Sequence, residues 1–152
     1  MFVFGYGSLA TDGGTPARLR GYRRAWNVAM DNRVTIPGYK YYVDGAGRRP
    51  EVFVTFLNLV PGEEVEGVVV RVDDVAGLDA RERNYTRVEV SPLVDHPGPV
   101  FAYVGRDEAV ARFEAGRRGG RAVVARGYLE TVRHLADPPP LPVLDLRRID
   151  LP

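Results

Sequence analysis

EVFVTFLNLVPGEEVEGVVVRV, residues 51–72, is the stretch on which the reading of the fold turns. In Glu51–Val60, Val52, Val54 and Phe56 alternate with Phe53, Thr55 and Leu57, which is the period of a β-strand. Pro61-Gly62-Glu63-Glu64 is turn chemistry, and Val65–Val72 is a second apolar, β-branched run. The pair predicts a β-hairpin. Working outward, Phe2–Phe4, Gly21–Met30, Thr86–Val90 and Val100–Val104 are further strand candidates. Ala10–Arg20 reads as a loop, and Asp31–Pro50 as a long surface excursion rich in glycine, tyrosine and arginine. Three stretches carry helical patterns: Asp73 to about Asn84 with Asp73 or Asp74 as N-cap, a helix capped by Asp107 and ended by Gly116 and the Gly119-Gly120 pair, and Ala122–Ala136. Neighbouring strands that can pair antiparallel, with helices mostly late in the chain, predict an α+β fold. The expected architecture is a small, mixed, mainly antiparallel β-barrel, closed or nearly so, with peripheral helices. A doubly wound sheet does not fit, because helices do not alternate with strands. Residues 1–137 read as one domain, and the prolines from Pro138 onward force an extended tail over 138–152.

Composition narrows the function. The 152 residues are 45% hydrophobic and 27% charged, with net charge +1, so no long-range field recruits nucleic acid or an anionic membrane. Every basic residue except Lys40 is arginine. The absence of cysteine excludes disulfides, thiolate nucleophiles and Cys-ligated zinc, and His96 and His134 alone are too few for a His-rich metal site. No run approaches the ~18 apolar residues of a membrane span. The expectation is a cytoplasmic protein, monomer or homodimer, that binds neither nucleic acid nor membrane and needs no metal.

Two local patterns carry chemistry. Met1-Phe2-Val3-Phe4-Gly5-Tyr6-Gly7-Ser8-Leu9 is an apolar strand that stops at a Gly-Tyr-Gly-Ser turn. Its two glycines allow unusual backbone angles or close approach, and successive amide N–H groups there can hold an anion or a carbonyl oxygen. The second pattern is a misplaced carboxylate. Val75, Leu78, Glu82 and Tyr85 fall on one helical face, so Glu82 occupies a position where leucine is expected. An ionised carboxylate there is costly unless it lies at a fraying helix end and reaches water, pairs with a buried arginine, or is used. Asp79 and Arg83 form an i,i+4 pair on another face.

Together these patterns resemble the γ-glutamyl cyclotransferase-like family, whose marks are a YGSL-type turn after the first strand and a later LDxxE segment. Here they are Tyr6-Gly7-Ser8-Leu9 and Leu78-Asp79-Ala80-Arg81-Glu82. Gly21-Tyr22-Arg23-Arg24, the Gly67–Val70 strand, Tyr85 and Tyr128 also follow the family's order, across roughly residues 1–135. The segment Leu9–Gly21 is shorter than the family usually carries, and the excursion 31–50 can compensate. The resemblance implies release of 5-oxoproline from a γ-glutamyl dipeptide or amine, by attack of the substrate's own α-amine, without cofactor. It implies Glu82 as general acid/base, and Tyr6, Gly7, Ser8, Leu9, Tyr85 and Tyr128 as substrate-binding residues. The alternative is a non-catalytic module that binds a small molecule or a protein on the same barrel. Other readings are weaker. Gly5-x-Gly7-x-x-Ala10 matches a dinucleotide fingerprint, but a segment with Gly13, Gly14 and Pro16 follows instead of a helix. Ser8 lacks a nucleophile-elbow context. Tyr39, Tyr41 and Tyr42 read as surface-loop packing, with stacking on a ligand as the alternative.

Overall fold

A long two-stranded ribbon, not a hairpin, is the spine of the molecule. The computed structural model describes residues 1–11 and 13–152; Asp12, within the loop expected over Ala10–Arg20, lies outside the described residues. The strands are β1 (Phe2–Gly5), β2 (Thr15–Asp31), β3 (Lys40–Val43), β4 (Phe53–Arg71), β5 (Tyr85–Glu89), β6 (Val100–Gly105), β7 (Ala122–Ala125), β8 (Val143–Leu144) and β9 (Arg147–Asp150). The helices are α1 (Val75–Arg81), α2 (Asp107–Arg118) and α3 (Arg126–Val132).

The two strands expected over 51–72 are one 19-residue strand, β4, and its partner is β2. Arg20 lies opposite Glu64 and Tyr22 opposite Pro61, so two steps along β2 match three along β4. The Pro-Gly-Glu-Glu segment is therefore a bulge. Pro61 has no N–H to donate, and a bulge is one of the few places in a ribbon that tolerates it. Gly21, directly opposite, has φ +86°, the left-handed conformation that glycine supplies. Part of the segment expected to be a loop, Thr15–Arg20, is the near end of β2.

β4 also orders the rest of the sheet. On the edge away from β2 it pairs with β1 at one end, antiparallel, and with β7 at the other, parallel. The strand order is β5-β6-β1-β4-β7-β8, with β2 on β4 and a separate β3–β9 pair. The end strands β5 and β8 do not pair, so the fold is α+β as expected but the barrel does not close. The middle of β4's second edge faces side chains rather than a strand, and the cavity described below opens there.

Burial explains the remaining differences. Ala122–Ala125, expected to begin a long helix, is buried throughout and pairs as β7, leaving α3 with only the residues from Arg126 to Val132. Helix α2 runs past Gly116 and ends at Arg118, with Gly119 of the expected Gly119-Gly120 pair as its C-cap, and has Arg106, not Asp107, at its N-cap. Gly116 lies inside it because a Cβ there would come within 2.7 Å of the Phe53 ring. The proline-rich tail is extended, yet it is bonded to the domain: Val124 N–H donates to Pro142 C=O and β9 pairs with β3, while Trp26 Nε1 donates to the C=O of Asp137, just before the tail. The main core joins Phe4, Leu19, Leu57, Leu59, Val100 and Val132. A second cluster, with Met30, Tyr42, Val54 and Phe56, lies under β3. No helix among the described residues is long and apolar enough to cross a membrane.

Candidate active site

The Gly-Tyr-Gly-Ser turn forms one wall of a cavity. After Gly5 the chain tightens into a 3-10 turn over Ser8–Thr11, in which Ala10 N–H donates to Gly7 C=O (3.0 Å). Neither Gly5 nor Gly7 has positive φ, contrary to one of the two expected reasons for glycine there. The other reason holds: a Cβ on Gly5 would lie 2.9 Å from Ala10 N, and one on Gly7 would lie 3.2 Å from the Tyr128 hydroxyl. The N–H groups of Gly7, Ser8 and Leu9 have no acceptor among the described residues. Arg24 fixes the turn from behind, donating from Nε to Tyr6 C=O (2.7 Å) and from Nη2 to Glu66 C=O.

Glu82 reaches the same cavity from the end of α1. The helix starts at Asp74, whose carboxylate accepts the Gly77 N–H (2.9 Å). It ends at Arg81, so Glu82 is the C-cap and Tyr85 opens β5; the expected helical stripe is cut short. Leu78 from that stripe is buried and anchors the helix, while the Glu82 backbone turns the chain by bonding Leu78 C=O and Tyr85 N–H (both 2.9 Å). Asp79 does not pair with Arg83. It accepts from Arg87 Nε (3.0 Å) and from the Tyr103 hydroxyl (2.6 Å), which hold its carboxyl below the ordinary range. The Glu82 carboxylate has neither a hydrogen bond nor an ion pair among the described residues. Burial raises its pKa, against the opposing pull of Lys40 and Arg81.

Tyrosines close the unpaired stretch of β4. The Tyr85 hydroxyl donates to Leu57 C=O (2.7 Å), and the Tyr128 hydroxyl accepts the Leu57 N–H (3.3 Å). Two side chains thus stand where a neighbouring strand would satisfy the backbone. Tyr128 is held edge-on between Trp26 and Phe56. The Tyr6 hydroxyl donates to Tyr103 C=O (2.7 Å), so Tyr6 offers a ligand its ring and backbone only. Burial raises the pKa of Tyr6, Tyr85 and Tyr128, and all three are neutral phenols at physiological pH.

The cavity has two chambers that share Ser8, Leu9, Glu82, Tyr85 and Tyr128. The inner one, about 40 Å³, is a cleft against the Gly5–Gly7 backbone, Leu57 and Tyr103. The outer one, about 290 Å³, is walled by Tyr39, Lys40, Phe56, Arg81, Asn84 and Arg148. Glu82 stands at the junction. Glu82 and the six residues expected to bind substrate all border this cavity, and the excursion 31–50, expected to compensate for the short Leu9–Gly21 segment, supplies Tyr39 and Lys40 to its outer wall; Arg148 was not foreseen. Tyr42, expected in a surface loop, is 6% exposed, and Tyr39 faces the cavity with its hydroxyl accepting from Asn84 Nδ2 (3.1 Å). Lys40 and Arg148 come from strands of four residues each, too short to read. The one available signal was a single lysine in a chain whose other basic residues are arginine. Among the described residues no group of three or more His, Cys, Asp or Glu side chains could hold a metal ion.

No protein-family profile matches the chain, and no curated protein matches it significantly. Among solved structures, a chain described as a gamma-glutamyl cyclotransferase superimposes over 92% of this chain and 89% of its own, with a TM-score of 0.42 and 15% identity. That similarity assigns neither activity nor residue roles here.

Proposed function

We propose that the chain is a cofactor-independent γ-glutamyl cyclotransferase, with Glu82 as general acid/base. One observation carries the reading: an unpartnered, half-buried carboxylate stands beside three unpaired backbone N–H groups on the wall of one cavity. A base and an oxyanion-binding turn lining one cavity suit attack by an amine on an amide carbonyl.

The substrate's α-amine and γ-carbonyl belong to one molecule, so the enzyme's task is to hold the cyclising conformer and to move one proton. The α-nitrogen attacks the γ-carbonyl carbon and a C–N bond forms. The amine attacks as its free base, and the one proton that its nitrogen must shed once bonded passes to Glu82. The carbonyl oxygen, now negative, accepts from the N–H groups of Gly7, Ser8 and Leu9. Collapse breaks the original C–N bond, Glu82 returns the proton to the departing nitrogen, and 5-oxoproline and a free amine result. An ordinary glutamate at pKa about 4.3 is mismatched to an α-amine at about 7.7–8.0 by roughly 3.5 units, about 5 kcal/mol. Burial of Glu82 narrows that gap from the carboxylate side. Tyr6, Tyr85 and Tyr128 shape the glutamyl end of the cavity and, being neutral, add no charge to compete with the oxyanion.

The test is release of 5-oxoproline from a panel of γ-glutamyl dipeptides and amines by the purified chain and by Glu82→Gln. Loss of a general base predicts a fall of about 100- to 10,000-fold in kcat with the fold intact. Retained turnover would remove Glu82 from the role. Silence of the wild type across the panel would favour a binding module instead.

A further inference from the structure

The outer chamber is asymmetrically charged. Lys40, Arg81 and Arg148 face it, against Glu82 as the one carboxylate among its described lining residues. Lys40 and Arg148 come from β3 and β9, paired so that Lys40 lies opposite Asp150 and Tyr42 opposite Arg148. Side chains alternate across a strand, so these four residues share one face of the ribbon, and buried Tyr42 marks it as the inward face. The Lys40 ammonium sits 4.5 Å from the centroid of the Phe56 ring. It has no ion pair and no hydrogen bond with any described residue. Arg148 is partly neutralised by Asp150 (Nε–Oδ1 3.1 Å), whereas Lys40 lies against the Phe56 and Tyr39 rings and feels Glu82 and Asp150 without pairing with either. A cation held away from water without a counter-ion is costly, and a ligand anion relieves that cost.

We propose that Lys40, supported by Arg148 and Arg81, binds a carboxylate carried by the leaving amine, so that the site selects γ-glutamyl amino acids over γ-glutamyl derivatives of neutral or cationic amines. This rests on the cyclotransferase reading for the reaction, but its recognition step is separate. The inner cleft faces the turn, and the outer chamber, beyond Glu82, is the side from which the leaving group departs.

The titration of Lys40 supplies a second readout. The groups facing its ammonium are Glu82 and Arg81 from the end of α1, Arg148 and Asp150 from β9, and Tyr39, Tyr85 and Tyr128 around the cavity. Burial outweighs the attraction of Glu82 and lowers the Lys40 pKa to about 8. Binding of a carboxylate by the ammonium therefore weakens as pH rises through that value. The substrate amine and Glu82 act in the opposite sense, since both must be deprotonated.

The test compares γ-glutamyl-alanine with γ-glutamyl-alaninamide, which differ only in the leaving-group carboxylate. The wild type should favour the acid in kcat/KM by about 10- to 100-fold, the range for a hydrogen bond to a charged group. In Lys40→Met the ratio should collapse toward one, mainly through KM. Lys40→Arg should keep the preference and move its alkaline loss to higher pH. In parallel, calorimetric binding of both compounds to Glu82→Gln, with and without Lys40→Met, reads recognition without turnover. Equal handling of acid and amide in turnover and in binding would overturn the carboxylate subsite and leave the cyclotransferase reading standing. Selective binding of the acid with no turnover by the wild type would do the reverse.

Discussion

Glu82 is where function and stability pull apart. Its pKa in the folded chain lies above the unfolded value, so the ionised form is disfavoured by folding. The cost is present where Glu82 is ionised in the native state, and it fades as pH falls through the raised pKa. Glu82→Gln should therefore be the more stable protein in alkali. The comparison is cleanest at about pH 9.5, above the Lys40 pKa of about 8, where the ammonium no longer offsets the carboxylate. Each kcal/mol relieved should raise Tm by roughly 2–4 °C, and the advantage should vanish near pH 4. Thermal melts of both proteins at the two pH values check it; a mutant less stable in alkali would mean that the carboxylate is compensated. The oddity of this residue was legible in the sequence, because a glutamate interrupted an apolar stripe. The reason for its position was not. α1 stops at Arg81, and a helix end, rather than a continuing face, aims Glu82 into the cavity. Lys40 gave no comparable sign, since its burial depends on a pairing between β3 and residues more than a hundred positions later.

At the scale of elements, the unpaired edge of β4 depends on two hydroxyls. Removing either leaves a buried Leu57 backbone group without a partner, at a cost of about 1–3 kcal/mol. Tyr85→Phe should cost more than Tyr128→Phe, because its bond to Leu57 is 2.7 Å against 3.3 Å. Denaturant unfolding of both variants measures the difference; equal effects, or none, would mean that water replaces the hydroxyls. The sequence showed β4 as strand almost from end to end and misread only its middle. Pro-Gly-Glu-Glu satisfies turn chemistry and bulge chemistry alike, and only the β2 register, which places Gly21 opposite, decides between them. Ala122–Ala136 failed for a related reason. Four buried small and β-branched residues fit a helix stripe and a central strand equally, and pairing with β4 settles the matter as β7.

At the scale of the whole molecule, the outer chamber is assembled from segments spread along the chain, from Ser8 in the first turn through Lys40, Phe56, Glu82 and Tyr128 to Arg148. The β3–β9 pair shares no ladder with the seven-stranded sheet. A two-stranded unit is marginal by itself, and this one is held by Tyr42 in the cluster beneath it and by terminal bonds from Leu151 N–H to Tyr39 C=O (2.7 Å) and from Gly38 N–H to Pro152 C=O (2.8 Å). It should open as a local unit, at lower free energy than β1 and β4. Leu151→Pro deletes the donor to Tyr39, next to Lys40, and should cost about 1 kcal/mol. Hydrogen exchange then separates two outcomes. Faster exchange confined to β3 and β9 amides would establish a movable outer wall over a fixed Gly-Tyr-Gly-Ser turn. Equal acceleration in β1 and β4 would show that the tail belongs to the global folding unit, and that the wall carrying Lys40 is as rigid as the turn it faces.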